Sequence, residues 1–106
     1  MRHFSPKQLQ DYLDQTSPPP LLLDVREQWE FDYCHIQDSV LIPMGELPNE
    51  LESLNTTQGI VVICHHGIRS RHMGLYMEQA GFKDIINLEG GVEQWAEDIE
   101  PSMRRY

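Results

Sequence analysis

Short apolar runs that alternate with helical segments constrain the fold of this chain more than any other feature. The clearest run is Ile60-Val61-Val62-Ile63, four β-branched residues without a polar interruption, which is typical of a strand buried on both faces. The leucines at 21–23, which end at Asp24, have the same character. Two further strands are predicted at residues 39–42 and 85–88.

Helical segments fill the intervals between these runs. Ser5 followed by Pro6 predicts an N-cap and a first helical position. Further helices are predicted at residues 27–33, 46–54 and 70–80, and a last one, bearing Trp95, follows Gly90-Gly91. Because strands and helices take turns, the predicted fold is α/β, with a parallel sheet of about five strands flanked by helices on both faces.

Length and composition narrow the class of protein. A chain of 106 residues predicts one domain over residues 1–106, and 40% hydrophobic content excludes intrinsic disorder. No apolar run approaches the ~20 residues that span a bilayer, and residues 1–6 lack the apolar stretch of a secretory signal. The 8 basic and 17 acidic residues argue against nucleic-acid and membrane partners. With only two cysteines, we expect a reducing, cytoplasmic location.

The segment after the best strand carries the most promising chemistry. It reads Cys64-His65-His66-Gly67-Ile68-Arg69-Ser70 and leads into a predicted helix. Ligands of parallel sheets bind beyond the carboxyl ends of the strands, and the free N–H groups at a helix start favour an anion such as a thiolate. Gly67 lets successive amides point into one concavity, and Arg69 adds a positive charge. Cys64 is therefore a candidate nucleophile, although a cysteine after a strand is more often a small core residue.

Several neighbouring residues have simpler interpretations. His65 and His66 are adjacent, so they rarely present both rings to one ion, and no metal or other cofactor is expected. One imidazole is expected to line the pocket, and the sequence leaves open which. Asp24 and Arg26 are expected to pin the helix that follows the first buried strand. Arg71 either attracts anions or is simply exposed.

The loop resembles the active-site loop of single-domain rhodaneses, with the cysteine, the central glycine and the arginine in place. Three other segments resemble the family's remaining signatures in the same order. They are Leu22-Leu23-Asp24-Val25-Arg26-Glu27, then His35-Ile36 with Ile42-Pro43, then Leu88-Glu89-Gly90-Gly91 with Trp95. Cys34 departs from the family, which usually has glycine before the His-Ile pair. Because Cys34 precedes a strand and Cys64 follows one, we expect the two at opposite edges of the sheet, unpaired, with Cys34 as a small buried side chain.

The resemblance implies a sulfurtransferase. Cys64 would take sulfur from a donor such as thiosulfate, hold it as a persulfide and pass it to cyanide or a thiol. Thioredoxin-like and sulfur-carrier proteins are possible partners. The residues implied to bind the substrate, through their amides, are His65, His66, Gly67, Ile68 and Arg69.

Two other functions remain open. A persulfide relay or docking module for a partner protein would use the same cysteine. Cysteine phosphatases and arsenate reductases also place a cysteine and an arginine around an anion, but with five residues between them, whereas four separate Cys64 from Arg69. The tighter loop favours a sulfur-bearing substrate.

Overall fold

Five strands and five helices make up the computed structural model, which describes residues 1–106. The strands are β1 (Arg2–Phe4), β2 (Leu21–Asp24), β3 (Val40–Leu41), β4 (Ile60–Ile63) and β5 (Ile85–Leu88). The helices are α1 (Pro6–Gln15), α2 (Gln28–Tyr33), α3 (Leu47–Glu50), α4 (Ile68–Gln79) and α5 (Gly91–Asp98), and a 3₁₀ turn at Leu51–Ser53 follows α3. None of the helices combines the length and the apolar character needed to traverse a bilayer.

All strand pairs are parallel, in the order β1-β5-β4-β2-β3. This confirms the predicted α/β class and the parallel five-stranded sheet. Strand β4 lies at the centre, and its four residues are completely buried. The segment that leaves β4 therefore starts from the centre of the sheet.

Alternate residues of the strands pack into two cores, one on each face of the sheet. Val61 and Ile63 face the core that contains Leu9 of α1 and Trp95 of α5. Ile60 and Val62 face the core that contains Leu47 of α3 and Met77 of α4, among others. Helices on both faces were predicted, as was the burial of Trp95, and both predictions are confirmed.

Three elements differ most from the sequence prediction. Strand β1 was not predicted, because Arg2 and His3 are polar and exposed and only Phe4 packs against the core at this edge of the sheet. The helix expected at 46–54 is instead the four-residue α3 and the 3₁₀ turn, with only Leu47 buried. Helix α4 begins at Ile68, two residues before the predicted start, because Gly67 adopts a left-handed conformation (φ 95°) at the N-cap.

Candidate active site

Cys64 lies at the carboxyl end of β4 and its sulfur points toward the start of α4. Its Sγ accepts hydrogen bonds from the backbone N–H of Gly67 at 3.1 Å and of Ser70 at 3.3 Å. The residue is 1% exposed. Of the loop amides expected to surround the site, only that of Gly67 donates to the sulfur; Ser70, outside the predicted set, supplies the second. The arrangement stabilises negative charge on the sulfur, since two amides and the positive end of a helix face it.

A buried polar pair lies beside the sulfur. Ser70 Oγ is 3.3 Å from Cys64 Sγ and donates to Asn87 Oδ1 at 2.5 Å. Asn87 Nδ2 in turn donates to the carbonyl of Gly67 at 3.3 Å. Sequence reasoning missed this pair, although a polar Asn87 inside the apolar run of β5 was a signal that some group must satisfy it.

Glycines bring a second helix start against the loop. A Cβ on Gly67 would lie 3.0 Å from the N of Gly90, and one on Gly91 would overlap the carbonyls of Cys64 and His65. This close approach lets the first turn of α5 donate to the loop, with Val92 N–H bonded to the Cys64 carbonyl (2.9 Å). The expected tight turn at Gly90-Gly91, close to the loop, is confirmed.

Arg69 pairs with a carboxylate of a neighbouring helix. Its guanidinium makes two hydrogen bonds to the carboxylate of Glu30 in α2, at 2.9 and 2.8 Å. These bonds lower the pKa of Glu30 to about 2. The positive charge expected from Arg69 is thus paired with Glu30, and the pair ties the start of α4 to α2.

A fully buried ion pair is linked to Glu30 through the hydroxyl of Tyr106. Arg26 and Asp24 are completely buried and lie 2.7 Å apart, and Arg26 Nη2 donates to the carbonyl of Cys34 at the end of α2. This confirms the expected pinning of α2. Arg26 Nη1 also donates to the hydroxyl of Tyr106 (2.9 Å), which donates to Glu30 (2.8 Å). Burial raises the pKa of Tyr106 to about 12, so the phenol keeps its proton.

The two histidines of the loop lie in different environments. His65 stacks on Tyr106 with ring centroids 4.0 Å apart, and its Nε2 is buried without a hydrogen-bond partner. Burial lowers its pKa below the ordinary value for histidine, which disfavours the charged ring. His66 is exposed and lines a shallow depression of about 330 Å³ together with Ile68 and Arg71. Arg71 makes no ion pair, so it brings an unpaired positive charge to this depression.

Cys34 is buried at 8% exposure, as predicted, and its φ of −163° is extended backbone that requires no glycine. The expected position at the opposite edge of the sheet is wrong. Cys34 lines a small cavity together with His65, because the Arg26 side chain holds the end of α2 near the loop. The two cysteines are instead separated by the sheet, since they belong to the cores on its two faces, and both are free.

The fold and the site together define a class of protein: an α/β domain with a cysteine in a short amide-lined loop at the carboxyl end of its central strand. The chain belongs to the rhodanese-like domain family, whose model matches residues 5–98. The resemblance seen in the sequence is thereby confirmed.

Relatives and solved structures agree with this assignment. The chain is 34% identical over 105 residues to MoeZ of Mycobacterium tuberculosis, which is named as an adenylyltransferase/sulfurtransferase. The alignment covers 97% of this chain but only 26% of MoeZ. It is 38% identical over 80 residues to YtwF of Bacillus subtilis, named as a sulfurtransferase, covering 76% of this chain and 77% of YtwF. The crystal structure of a rhodanese-like domain protein from Staphylococcus aureus superimposes with a TM-score of 0.82 at 32% identity, covering 90% of this chain and 91% of that one.

Proposed function

We propose that the protein is a sulfurtransferase that carries sulfane sulfur on Cys64. The observation that carries this proposal is the pair of hydrogen bonds from the N–H groups of Gly67 and Ser70 to Cys64 Sγ. A sulfur held in this way at a helix start is favoured as a thiolate, the nucleophilic form of cysteine. The domain that acts is the whole of residues 1–106, in a reducing compartment such as the cytoplasm, where its two thiols stay free.

The transfer takes two steps. The Cys64 thiolate attacks the outer sulfur of a donor such as thiosulfate, a sulfur–sulfur bond forms to Sγ, and the bond to the sulfonate sulfur breaks and releases sulfite with its electron pair. An acceptor nucleophile, cyanide or a thiolate, then attacks the outer sulfur, and the electron pair of the breaking bond returns to Sγ. The covalent intermediate divides one difficult exchange into two easier ones.

Access to the sulfur requires movement, because Cys64 is 1% exposed. The depression lined by His66, Gly67 and Ile68 lies on the outer side of the loop, and Arg71 at its rim provides the unpaired charge for an anionic donor. Arg69, which is bound to Glu30, acts by holding the loop in place. The loop amides then stabilise the persulfide as it forms.

The acceptor in this proposal is a protein or a small thiol. MoeZ joins a sulfurtransferase to an adenylyltransferase in one chain, and YrkF of Bacillus subtilis, 39% identical over 79 residues, is named as a sulfur carrier protein. The present chain spans 43% of YrkF. These relatives favour a relay that hands sulfur to a carrier or a thioredoxin-like protein, as an alternative to free turnover of thiosulfate.

Intact mass measurement after incubation with thiosulfate tests the central claim. We expect a gain of one sulfur atom that maps to Cys64, is removed by cyanide and is absent in Cys64→Ser. The matched control Cys34→Ser, which removes the other thiol, should still gain the sulfur. If neither thiosulfate nor a persulfidated protein loads Cys64, the proposal is wrong.

A comparison of rates separates the enzyme from the relay. Faster loading by a persulfidated protein than by excess thiosulfate would favour the relay, and efficient thiosulfate–cyanide turnover would favour the enzyme. Hydrolysis of a phosphate ester that is lost in Cys64→Ser would instead point to a phosphatase.

A further inference from the structure

The hydroxyl of Ser70 is the only side-chain hydroxyl within hydrogen-bond distance of the Cys64 sulfur, and it has two possible partners. Ser70 is completely buried, and Asn87 is 3% exposed. Ser70 Oγ lies 3.3 Å from Cys64 Sγ and 2.5 Å from Asn87 Oδ1. No solvent reaches this group, so its hydrogen is shared between two neighbours only.

The orientation of Asn87 decides where that hydrogen lies at rest. Asn87 Nδ2 is 3.3 Å from the carbonyl oxygen of Gly67, which can only accept. This contact leaves Oδ1 facing Ser70, and Oδ1 also can only accept. The single hydroxyl hydrogen of Ser70 is therefore bound to Asn87, while a lone pair of Ser70 Oγ faces the sulfur and suits a protonated Cys64 thiol.

The ionised sulfur reverses this requirement. A thiolate is an acceptor, so it gains from the Ser70 hydroxyl only if the hydrogen turns away from Asn87. We propose that Ser70 is a positioning residue that donates a third hydrogen bond to the Cys64 thiolate, and that Asn87 restrains it by competing for the same hydrogen. The inference deepens the proposed function and rests on it for its meaning, since Sγ becomes a thiolate each time the outer sulfur leaves.

Two substitutions are expected to act in opposite directions. Ser70→Ala removes the donor, so the midpoint of Cys64 ionisation should rise by about one pH unit, a tenfold loss of thiolate below the midpoint. Asn87→Leu, which suits the apolar strand around it, removes the competing acceptor, so the midpoint should fall. General damage to the loop would move both midpoints in the same direction.

Other charged groups near the site stay the same in both variants. Arg69 remains paired with Glu30, the two loop histidines are untouched, and His3, which faces Asn87 from β1, keeps Glu89 at 4.0 Å. A shift in the midpoint of Cys64 ionisation therefore reflects the change at the Ser70 hydroxyl. Ser53→Ala, which removes an exposed hydroxyl that is bonded to the Glu50 carbonyl and not to the loop, is the matched control and should leave the midpoint unchanged.

The measurement is the ultraviolet absorbance of the thiolate as a function of pH, corrected with the Cys64→Ser counterpart of each variant. It requires neither a reagent that reaches the buried sulfur nor sulfur transfer. Thermal unfolding of each variant checks the fold, and Ser70→Thr, which keeps the hydroxyl, should restore the midpoint. An unchanged midpoint in Ser70→Ala, or a rise in Asn87→Leu, would overturn the inference. If only the proposed function is wrong, the two variants should still shift the midpoint of Cys64 ionisation as described, but Cys64 would never gain sulfur.

Discussion

At the scale of single residues, the site depends on a glycine, Gly91, whose missing side chain leaves room for the loop. The carbonyls of Cys64 and His65 occupy the space where a side chain at position 91 would begin. Gly91 itself has a φ of 59°, in the left-handed region. The approach of α5 to the loop is possible only because the residue there has no Cβ.

Gly91→Ala is expected to lower the free energy of unfolding by about 3 kcal/mol or more, because the new methyl group overlaps two backbone carbonyls and the backbone is strained. Denaturant unfolding followed by circular dichroism measures the loss. Gly45→Ala is the matched control, since nothing lies within 4 Å of a Cβ there, and it should stay within about 0.5 kcal/mol of the parent. Equal stability of the two variants would contradict the close packing described here.

At the scale of elements, the loop is held by three helices. Helix α4 supplies the Ser70 amide to the sulfur, α5 donates to the loop carbonyls, and α2 holds Arg69 through Glu30. The elements that carry no reacting group thus decide where the loop lies. This division is typical of a site that needs one precise position for a single sulfur atom.

The Glu30–Arg69 pair predicts how stability depends on acid. The pKa of Glu30 is about 2 in the folded chain, below its ordinary 4.5, so the contribution is complete above pH 4.5 and is lost as the pH falls toward 2. We expect an upper bound of about 3 kcal/mol, reduced by solvent on the partly exposed Arg69. Glu30→Gln should therefore be less stable than the parent at pH 7 and nearly equal to it at pH 2.

Urea unfolding at several pH values measures this convergence. Glu52→Gln, which removes an exposed carboxylate from the 3₁₀ turn, is the control and should follow the parent throughout. If the free energies of unfolding of Glu30→Gln and the parent differ by the same amount from pH 7 to pH 2, the stability lost in the variant comes from packing and not from the ion pair.

Elements with strong apolar patterns were predictable, and those defined by distant contacts were not. The buried runs of β2 and β4 carry their own signal, as does the Ser5 cap, whose hydroxyl accepts from the Gln8 N–H at 3.2 Å. Strand β1 has no such signal, because its position depends on pairing with β5. The partner of Arg69 lies 39 residues away along the chain, so spacing alone could not assign it. The placement of Cys64 and Gly67 at the start of α4 was predictable, because it follows from local sequence.

At the scale of the whole molecule, net charge opposes the chemistry of the site. The formal charge is −9, and the proposed donor is an anion. The molecule measures 36 × 31 × 20 Å, comparable with the Debye length of about 30 Å at about 0.01 M salt. At about 0.15 M salt that length falls to about 8 Å, and only the charges near the loop remain effective.

The rate of Cys64 loading by thiosulfate should therefore rise several-fold when salt increases from about 0.01 to about 0.15 M. An uncharged trisulfide donor is the control and should show no such rise. Arg71→Ala should load more slowly with thiosulfate at both salt concentrations and equally fast with the uncharged donor. Stopped-flow mixing with mass detection gives these rates. If the rate of loading by thiosulfate falls as salt increases, the positive charge near the loop outweighs the negative net charge of the molecule even at low salt.

Tyr106 lies eight residues beyond the end of the family match at residue 98, yet its hydroxyl joins Arg26 to Glu30. A chain that ended at residue 98 would lack the phenol, and the buried side chains of Arg26 and Glu30 would each lose a hydrogen-bond partner. For this protein, the stretch of chain that completes the folded structure is longer than the stretch that the family model matches.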